Sequence, residues 1–305
     1  MVVDFHVHST ASDGTFSPAE LADRARGFAA VALTDHDNCD GLVEFMGRGG
    51  ANRVAVSEAA ARQGRHPVEE NENRPLRVPG IELSIEPGAG FDKFHLLGLG
   101  IDPANAELKA LLRRVLDGRN ARNERIIANF RRIGFSMDGV EELAHGEVLA
   151  RPHFARWLVD HGVEPDVRTA FEKYLLADSP RTTRCYEERW HPSQEETFRV
   201  IHAAGGLCVM AHPKYWRNEW KTVGPDYAAA ERELAALKER GLDGVETLYQ
   251  ANTDAENVEF TRIAMRLGYL TTAGSDFHGA NKPTIRLGME VTEPFIMPVL
   301  ERLAR

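Results

Sequence analysis

The sequence predicts an α/β fold, a parallel sheet or barrel that is interrupted by a long helical insertion. Short apolar runs alternate with helical stretches at both ends of the chain, which is typical of βαβ units. Between residues 102 and 190 the apolar residues recur at helical spacing instead, as in RPHFARWLVDHG. We therefore expect the α/β part to comprise residues 1–101 and 191–305, and a helical cap domain to comprise residues 102–190.

The first α/β segment begins with the strand-like run VVDFHV. Ser17 and Glu20 then supply the N-cap and the capping-box acid of a helix over residues 18–26. A second helix begins near Cys39, and a polar stretch over residues 62–74 predicts a solvated loop. Three more strands are predicted by the runs AVALT, RVPGIEL and KFHLLGLG.

The α/β pattern resumes after the insertion. Ser193 caps a new helix, with Glu196 at the capping-box position. The remaining strands are predicted by LCVMAHP, DGVETLY and YLTTAGSDFH. No internal repeat or low-complexity segment interrupts this order, so one α/β unit with one insertion accounts for the pattern.

The composition limits the classes of partner. A net charge of -9 over 305 residues gives no electrostatic basis for binding long nucleic acid, although a local basic pocket can still bind a small anion. The three cysteines include no CxxC pair, so neither a disulfide framework nor a thiolate zinc site is predicted. With no signal-peptide pattern and no apolar run long enough for a membrane helix, we expect a cytoplasmic protein.

Side chains of the metal-ligand type follow nearly every predicted strand. In the first strand, His6 and His8 share a face with Asp4, and Val3, Phe5 and Val7 lie on the opposite face. One HxH pair alone fits equally well with two hydrogen-bonded histidines in a polar loop. The recurrence favours a site at the rim of a barrel, where strand ends meet. The strand-end residues are His6, His8, Asp35, His36, Asp37, Glu82, His95, His212, Asp276 and His278.

This mixture of imidazoles and carboxylates without thiolate suits manganese, zinc or iron. The set is too large for one ion, so we expect two or three divalent ions, with at least one pair sharing a carboxylate. Such a pair binds an oxyanion and lowers the pKa of a bridging water to about 7, which produces hydroxide at neutral pH. Attack of this hydroxide on the phosphorus of a phosphate ester is the reaction that suits the site best.

Four motifs in this order resemble the PHP (polymerase and histidinol phosphatase) family. They are DFHVHSTASDG, TDHD, AHP and GSDFH, and they span both ends of the chain. The resemblance implies a distorted (β/α)7 barrel with a metal cluster at its mouth. It adds Asp13, from the SDG element, to the candidate ligands. The implied ligand set is therefore His6, His8, Asp13, His36, Glu82, His95, His212, Asp276 and His278.

The resemblance also divides these ligands among three ions. One ion is held by His6, His8, Glu82 and Asp276, and a second shares Glu82 and adds His95 and His212. The third takes Asp13, His36 and His278. Among these candidate ligands, the predicted catalytic residues are His6, His8, Glu82, His212 and Asp276.

The insertion resembles that of the PHP subgroup that acts on nucleotides and small sugar phosphates. Its RPHFARWLV segment matches an Arg-x-His element, which makes Arg151 and His153 candidates for substrate binding. Arg119, Arg122 and Lys214 are further candidates. An arginine at a helix start is also common in surface ion pairs. The segments RTTRCYEERWHP and KYWRNEWK form either a substrate pocket with stacking and charge or a surface loop.

The predicted function is metal-dependent hydrolysis of a small phosphorylated metabolite, such as a nucleotide, a nucleoside 3′,5′-bisphosphate, or a ribose or cyclic phosphate. Asp37 and His278 are candidate general acids. One alternative is an exonuclease or phosphodiesterase that acts on short oligonucleotides. Others are a non-catalytic metal-binding regulatory module and an amidohydrolase. The residues do not indicate which oligomeric state the protein has.

Overall fold

The computed structural model describes most of the chain. The described ranges are residues 1–47, 75–88, 91–92, 94–144 and 149–304. The loop predicted over residues 62–74 lies outside them. No helix within these ranges is both long enough and apolar enough to cross a membrane.

Eight strands form one sheet that curls into a nearly closed barrel. The sheet has the order β7-β6-β5-β4-β3-β2-β1-β8, and a bridge between Val7 and Phe277 joins its two sides. Seven main strands in chain order thus confirm the distorted (β/α)7 barrel, with a two-residue β8 added. The strands are β1 Val2–Val7, β2 Ala30–Leu33, β3 Leu76–Ile85, β4 Phe94–Leu99, β5 Leu207–Met210, β6 Gly244–Tyr249, β7 Leu270–Gly274 and β8 Met289–Glu290.

Strand β4 departs from the parallel pattern, because it runs antiparallel to both β3 and β5. Only residues 86–93 separate Ile85 from Phe94. A parallel crossover needs a dozen or more residues, so a connection this short forces β4 to run back along β3. The reversal explains why the barrel is distorted.

The helices lie between the strands and in the insertion. Ser17 accepts a hydrogen bond from the backbone of Glu20, and Ser193 caps a later helix in the same way, as predicted from the sequence. The helices are α1 Pro18–Arg24, α2 Leu42–Met46, α3 Ala106–Arg132, α4 Arg151–Asp160, α5 Val167–Ala170, α6 Gln194–Ala203, α7 Trp220–Val223, α8 Tyr227–Glu239, α9 Asp254–Arg266 and α10 Glu293–Leu303.

Strand β1 is irregular where it reaches the site. Its pairing with β2 shifts register between Asp4 and Val7. Val3 and Phe5 pack in a cluster with residues of β4 and β5, whereas Val7 packs with the outer helices. The strict alternation predicted for this strand is therefore wrong, because the irregularity changes the face that the following residues present.

The described part of residues 102–190 contains helices and no strand. Helix α3 connects this region to the barrel. Leu108 and Leu111 at its start pack in the barrel's outer cluster, and Ile126 and Phe130 near its end pack in a separate cluster with α4. One continuous helix thus positions the insertion relative to the barrel, and the exact domain limits stay a prediction.

Candidate metal centre

The nine predicted ligands come together at one end of the barrel. Eight of them lie at or just after strands, and Asp13 lies in the loop that follows β1. Pairing between His36 and Glu82 sets the backbones of these two residues side by side, since the amide of Asp37 donates to the Glu82 carbonyl at 2.9 Å. The strand ends thus bring residues far apart in sequence into one cluster.

The carboxylate of Glu82 lies at the middle of this cluster. Its Oε2 lies 2.8 Å from His36 Nδ1 and 3.2 Å from His8 Nε2. Its Oε1 lies 2.9 Å from His95 Nδ1 and 3.1 Å from His212 Nε2. Because each oxygen faces a different set of imidazoles, the carboxylate has the geometry of a ligand shared by two ions.

His6 and His8 face Asp276 on one side of Glu82. Asp276 Oδ1 lies 3.7 Å from His6 Nε2 and 3.5 Å from His8 Nε2, while Glu82 Oε2 lies 3.4 Å from His6 Nε2. Two ligand atoms that are each about 2.1 Å from one ion are about 3–4 Å apart. This spacing matches the first ligand group implied by the family resemblance.

A further group surrounds Asp13. Its Oδ1 lies 3.2 Å from His278 Nε2 and 3.8 Å from His36 Nε2. His8 Nδ1 also approaches this oxygen, at 3.9 Å. The structure therefore adds His8 to the predicted third group, since its two ring nitrogens face different carboxylates.

Several buried polar atoms in this cluster have no hydrogen-bond partner. They are His6 Nε2, His8 Nε2, Asp13 Oδ1, His36 Nδ1 and Glu82 Oε2. Buried polar groups are normally hydrogen-bonded, and a buried group without a partner costs about 1–3 kcal/mol. Here the unpartnered atoms face one another at ligand spacing, so the donor set fits divalent cations.

Two hydrogen bonds orient the histidine rings. His6 Nδ1 lies 3.0 Å from Glu246 Oε1, and His278 Nδ1 donates to the Asp276 carbonyl at 2.8 Å. Each contact occupies Nδ1 and leaves Nε2 facing the cluster, which is the arrangement found in metal-bound histidines. Gly274 makes room for it, because a Cβ there would lie 2.0 Å from Glu246 Oε1.

The backbone is strained at three residues of the site. Asp37, His212 and Asp276 have φ angles of 57°, 27° and 58°, and the only other positive-φ non-glycine residue in the described ranges is Met137. Such conformations cost about 1–3 kcal/mol each and tend to gather at functional sites. The strain is therefore concentrated among and beside the candidate metal ligands.

Without metal, the cluster perturbs its own protonation. Burial alone would lower the pKa of His36, but Glu82 and Asp13 raise it to about 9. Burial alone would raise the pKa of Glu82, but His36, His6 and His95 hold it well below its usual range. The carboxylate stays charged, which is the form that binds cations.

Two residues that the sequence analysis did not identify hold Asp276. Lys282 Nζ donates to Asp276 Oδ2 at 2.6 Å, and the Tyr249 hydroxyl donates to the same oxygen at 3.0 Å. Lys282 follows the GSDFH motif by a few residues, and this closeness is the feature of the sequence that could have identified it. Both bonds leave Oδ1 facing His6 and His8.

A cavity of about 450 Å³ opens beside these residues. Its floor includes His95, His212 and Asp276, and Tyr215 and Trp216 form part of its wall. The KYWRNEWK segment thus contributes aromatic side chains next to the candidate centre, which supports the pocket interpretation over the surface-loop one.

Two further aspartates near the cluster, Asp4 and Asp35, accept hydrogen bonds from serine residues. Asp35 accepts from the hydroxyls of Ser9 and Ser12, both at 2.6 Å, and fixes the loop that follows β1. Asp4 accepts from the backbone and hydroxyl of Ser275, and burial raises its pKa to about 6. Both carboxylates shape the loops that carry metal-ligand candidates.

Arginines from the insertion meet the barrel at Asp37. Arg119 Nε and Arg189 Nη2 donate to Asp37 Oδ2 at 2.8 and 2.7 Å. Burial alone would raise the pKa of Asp37, but these two guanidinium groups hold it well below its usual range. Asp37 therefore has two arginine partners, and its role as a general acid stays a prediction.

The other predicted substrate residues occupy different environments. Arg151 Nη1 donates to the Leu175 carbonyl at 3.3 Å, and its guanidinium lies over Tyr186. His153 Nδ1 accepts from the Ala150 amide at 3.0 Å, which caps α4. Their role in substrate binding stays a prediction.

Lys214 lies apart from these arginines. Its Nζ donates to Glu256 Oε2 at 2.8 Å and to the Ala251 carbonyl at 3.2 Å. The ammonium group therefore already has protein partners, and its role in substrate binding also stays a prediction.

The sequence is similar to a known protein family and to proteins from two bacteria. A family model described as the PHP domain matches residues 4–104. A 3′,5′-nucleoside bisphosphate phosphatase of Chromobacterium violaceum is 32% identical over 310 residues, covering 99% of this chain and 96% of the relative. A 5′-3′ exoribonuclease of Haemophilus influenzae is 31% identical over 282 residues, covering 90% and 89%.

A solved structure has a fold similar to that of this chain. A candidate metal-dependent phosphoesterase from Bifidobacterium adolescentis superimposes with a TM-score of 0.74 at 27% identity. The match covers 98% of this chain and 96% of that one. The similarity therefore extends over the barrel and the insertion together.

Proposed function

The chain belongs to the PHP family, and on that premise we propose that it hydrolyses small phosphorylated metabolites in a metal-dependent reaction. It is a hydrolase that acts on phosphoric ester bonds. Divalent metal binding accords with the histidine and carboxylate clusters and with a metal-dependent neighbour. The assignment of individual ligands and the number of ions are parts of the proposal.

The observation that carries the proposal is the set of buried, unpartnered ligand atoms around Glu82. We assign nine residues as ligands of two or three ions of manganese, zinc or iron, namely His6, His8, Asp13, His36, Glu82, His95, His212, Asp276 and His278. When bound, such ions activate water and neutralise negative charge on phosphoryl oxygens. The ligand-type spacing around both oxygens of Glu82 supports this assignment.

The protein's own residues orient this site. Glu246 fixes the ring of His6, and its Oε2 accepts from the His212 amide at 2.7 Å. Lys282 and Tyr249 fix Asp276. These contacts hold the ligand atoms in place before substrate binds, which limits the reorganisation that the reaction requires.

The substrate that we favour is a nucleoside 3′,5′-bisphosphate. Similarity to a bisphosphate phosphatase over almost the whole chain supports it. Asp37 directly follows the candidate ligand His36 and binds Arg119 and Arg189, so a second negative group can lie close to the reacting one. The aromatic side chains beside the centre suit a nucleoside.

A second candidate is the 5′ end of a short oligoribonucleotide. Similarity to the exoribonuclease of Haemophilus influenzae favours it. The net charge of -9 argues against extended contacts with a long strand, so a short end is the form of RNA that we consider.

A phosphate-release assay over nucleotides, nucleoside bisphosphates, cyclic phosphates, sugar phosphates and short 5′-phosphorylated RNA tests the proposal. The protein is loaded with Mn²⁺ and its metal content is measured in the same sample. We expect fastest release from a nucleoside 3′,5′-bisphosphate. A metal-loaded protein that is inert on every substrate would rule out the phosphoesterase function.

A further inference from the structure

A second group of metal-ligand side chains lies at the opposite end of the barrel from the candidate metal centre. His202 lies in the last turn of α6, Cys208 lies near the start of β5, and Asp243 directly precedes β6. His212, a candidate ligand of the centre, follows the other end of β5. At about 3.3 Å per residue of extended chain, it is roughly 13 Å from Cys208, so the two groups are distinct.

The pairing of β5 with β6 brings the second group together. The Asp243 amide donates to the Cys208 carbonyl at 2.9 Å, and the Cys208 amide donates to Asp243 Oδ2 at 2.8 Å. His202 Nε2 lies 2.7 Å from the same carboxylate oxygen. These contacts hold the carboxylate between the imidazole and the cysteine.

The three side chains have the spacing of a metal site. One ligand atom from each of His202, Cys208 and Asp243 lies within 4.8 Å of the other two. Ligand atoms of one zinc ion are about 3–4 Å apart, so the bond between His202 and Asp243 must open by a small amount to admit an ion. The His202 side chain is 40% exposed and can change rotamer to do so.

A cavity of about 480 Å³ adjoins the group and includes both His202 and Asp243 in its lining. Glu301, from α10, lines the same cavity. A metal site needs an entry path and enough ligands. The cavity provides the path, and it gives room for water or the Glu301 carboxylate as a fourth ligand.

Cys208 is fully buried and its thiol has only a weak partner. The thiol donates to the Phe198 carbonyl at 3.7 Å. Burial and the charge of Asp243 raise the pKa of this thiol well above its usual range. A cation between the two side chains would stabilise both the thiolate and the carboxylate, because it would face two negative charges.

We propose that His202, Cys208 and Asp243 bind a zinc-class divalent cation that is separate from the ions at the barrel mouth. On binding, the S–H bond of Cys208 breaks, a bond from sulfur to the metal forms, and the proton passes to water. The thiolate and the carboxylate together balance the charge of the ion. Thiolate ligands favour zinc, whereas manganese favours carboxylate and water, so this site takes zinc in preference to manganese.

The position of the site indicates a structural role. The ion would link α6 to β5 and β6 at the N-terminal face of the barrel, where residues serve stability and not catalysis. Asp243 lies 35 positions from Cys208 and 41 from His202 in sequence. A site with one cysteine and such spacing leaves no CxxC pattern, which is why the sequence does not predict it.

Cobalt spectroscopy tests the cysteine ligand directly. Metal-free protein is titrated with Co²⁺, which occupies zinc sites and gives a near-ultraviolet charge-transfer band when a thiolate binds it. We expect the band in the wild type and in Glu82→Gln, because none of the nine candidate ligands at the barrel mouth is a cysteine. Cys208→Ser should lose the band, and added Zn²⁺ should abolish it in the wild type.

The other two cysteines provide matched controls, since Cys39→Ser and Cys185→Ser should both keep the band. A wild type without the band, or a band that survives in Cys208→Ser, would overturn the site.

A second variant is available if Cys208→Ser does not fold. His202→Gln changes an exposed side chain, and the affinity of the band for Co²⁺ should fall by about tenfold or more, since even supporting residues of metal sites contribute about 10- to 100-fold. The matched control is His161→Gln, an exposed histidine at the end of α4. An unchanged titration in His202→Gln would overturn the site.

Metal counting separates this site from the proposed function. The wild type should bind one zinc ion more than His202→Gln, whereas the two proteins should bind the same number of manganese ions. Equal zinc contents would overturn the site, and loss of phosphate release in manganese-loaded His202→Gln would contradict its separation from the barrel mouth. If the wild type hydrolyses no phosphate ester, the proposed function fails, and the cobalt band still decides this site.

Discussion

The candidate metal centre lies next to a cluster of four arginines, Arg119, Arg122, Arg151 and Arg189. Buried groups lack partners of opposite kinds in the two regions. Around Glu82 the unpartnered atoms include carboxylate oxygens and imidazole nitrogens that can accept, whereas around Arg122 they are guanidinium donors. His36 and Asp37, adjacent in sequence, divide the two regions. The first region therefore lacks cations, which metal ions would supply, and the second lacks an anion.

Both regions keep buried polar groups without partners in the same fold. Each unpartnered buried group costs stability, and local rules are broken mainly at functional sites. Strain at Asp37 and Asp276 lies in the same place. We therefore expect substitutions in the two regions to have different signatures, and these provide the following tests.

The largest effect is expected from Glu82→Gln. The substitution removes a charge that faces five imidazoles, so turnover should fall by about 1000-fold or more, and the bound metal should fall with it. Steady-state kinetics and metal content measure this. Glu164→Gln, in the insertion, is the control, and a Glu82 variant within tenfold of the wild type would contradict the ligand assignment.

A smaller loss of metal affinity and activity is expected from Glu246→Gln. This residue does not belong to the predicted ligand set but orients His6 and bonds to the His212 amide. Loss of such a supporting group typically costs about 10- to 100-fold in metal affinity or activity. Titration with Mn²⁺ should show a weaker apparent affinity, and an unchanged titration would mean that Glu246 has no positioning role.

Removing the metal should lower stability. Ligands present at about 100 times their Kd stabilise by about 2.7 kcal/mol, which corresponds to about 4 °C in Tm for a chain of 305 residues. Differential scanning calorimetry before and after chelation measures the shift. Re-addition of Mn²⁺ should restore the original Tm, and a Tm that is insensitive to chelation would contradict metal binding at the barrel mouth.

A substitution in the arginine cluster should raise the thermal stability of the metal-free protein. In phosphate-free buffer without metal, Arg122→Met should raise Tm by a few degrees, because it replaces a buried unpaired cation with an apolar side chain of similar size. Thermal melting at equal protein concentration tests this. A Tm well below that of the wild type would mean that Arg122 is a structural residue.

The smallest effect is expected from Lys214→Ala. Its ammonium is already paired with Glu256, and a partly exposed ion pair contributes about 0–1 kcal/mol. We expect kcat/KM to change by less than about threefold. A tenfold loss confined to KM would place Lys214 in substrate binding after all.

Much of the metal centre could be predicted because its residues follow recognisable strands. His6, His8 and Asp276 lie in short motifs at strand ends, and strand ends meet at the barrel rim. The seven main strands could be predicted for the same reason, since each is a short apolar run between turn or helix signals. Strand β8 could not, because Met289–Glu290 is too short to leave a pattern.

The supporting residues left no comparable signal. Glu246 lies inside a strand that reads as apolar, and its contact with His6 joins residues 240 positions apart. Arg189 lies in an irregular segment and reaches Asp37 across 152 positions. Such contacts depend on how the insertion packs on the barrel, and periodicity along the chain does not carry this information.

The central claim is that divalent ions held around Glu82 are required for phosphate release. Metal content and release from a nucleoside 3′,5′-bisphosphate should therefore be measured on the same sample during stepwise chelation. We predict two or three ions per chain at full activity, and activity that disappears as they are removed and returns with Mn²⁺. Full turnover by protein without bound metal would contradict the account.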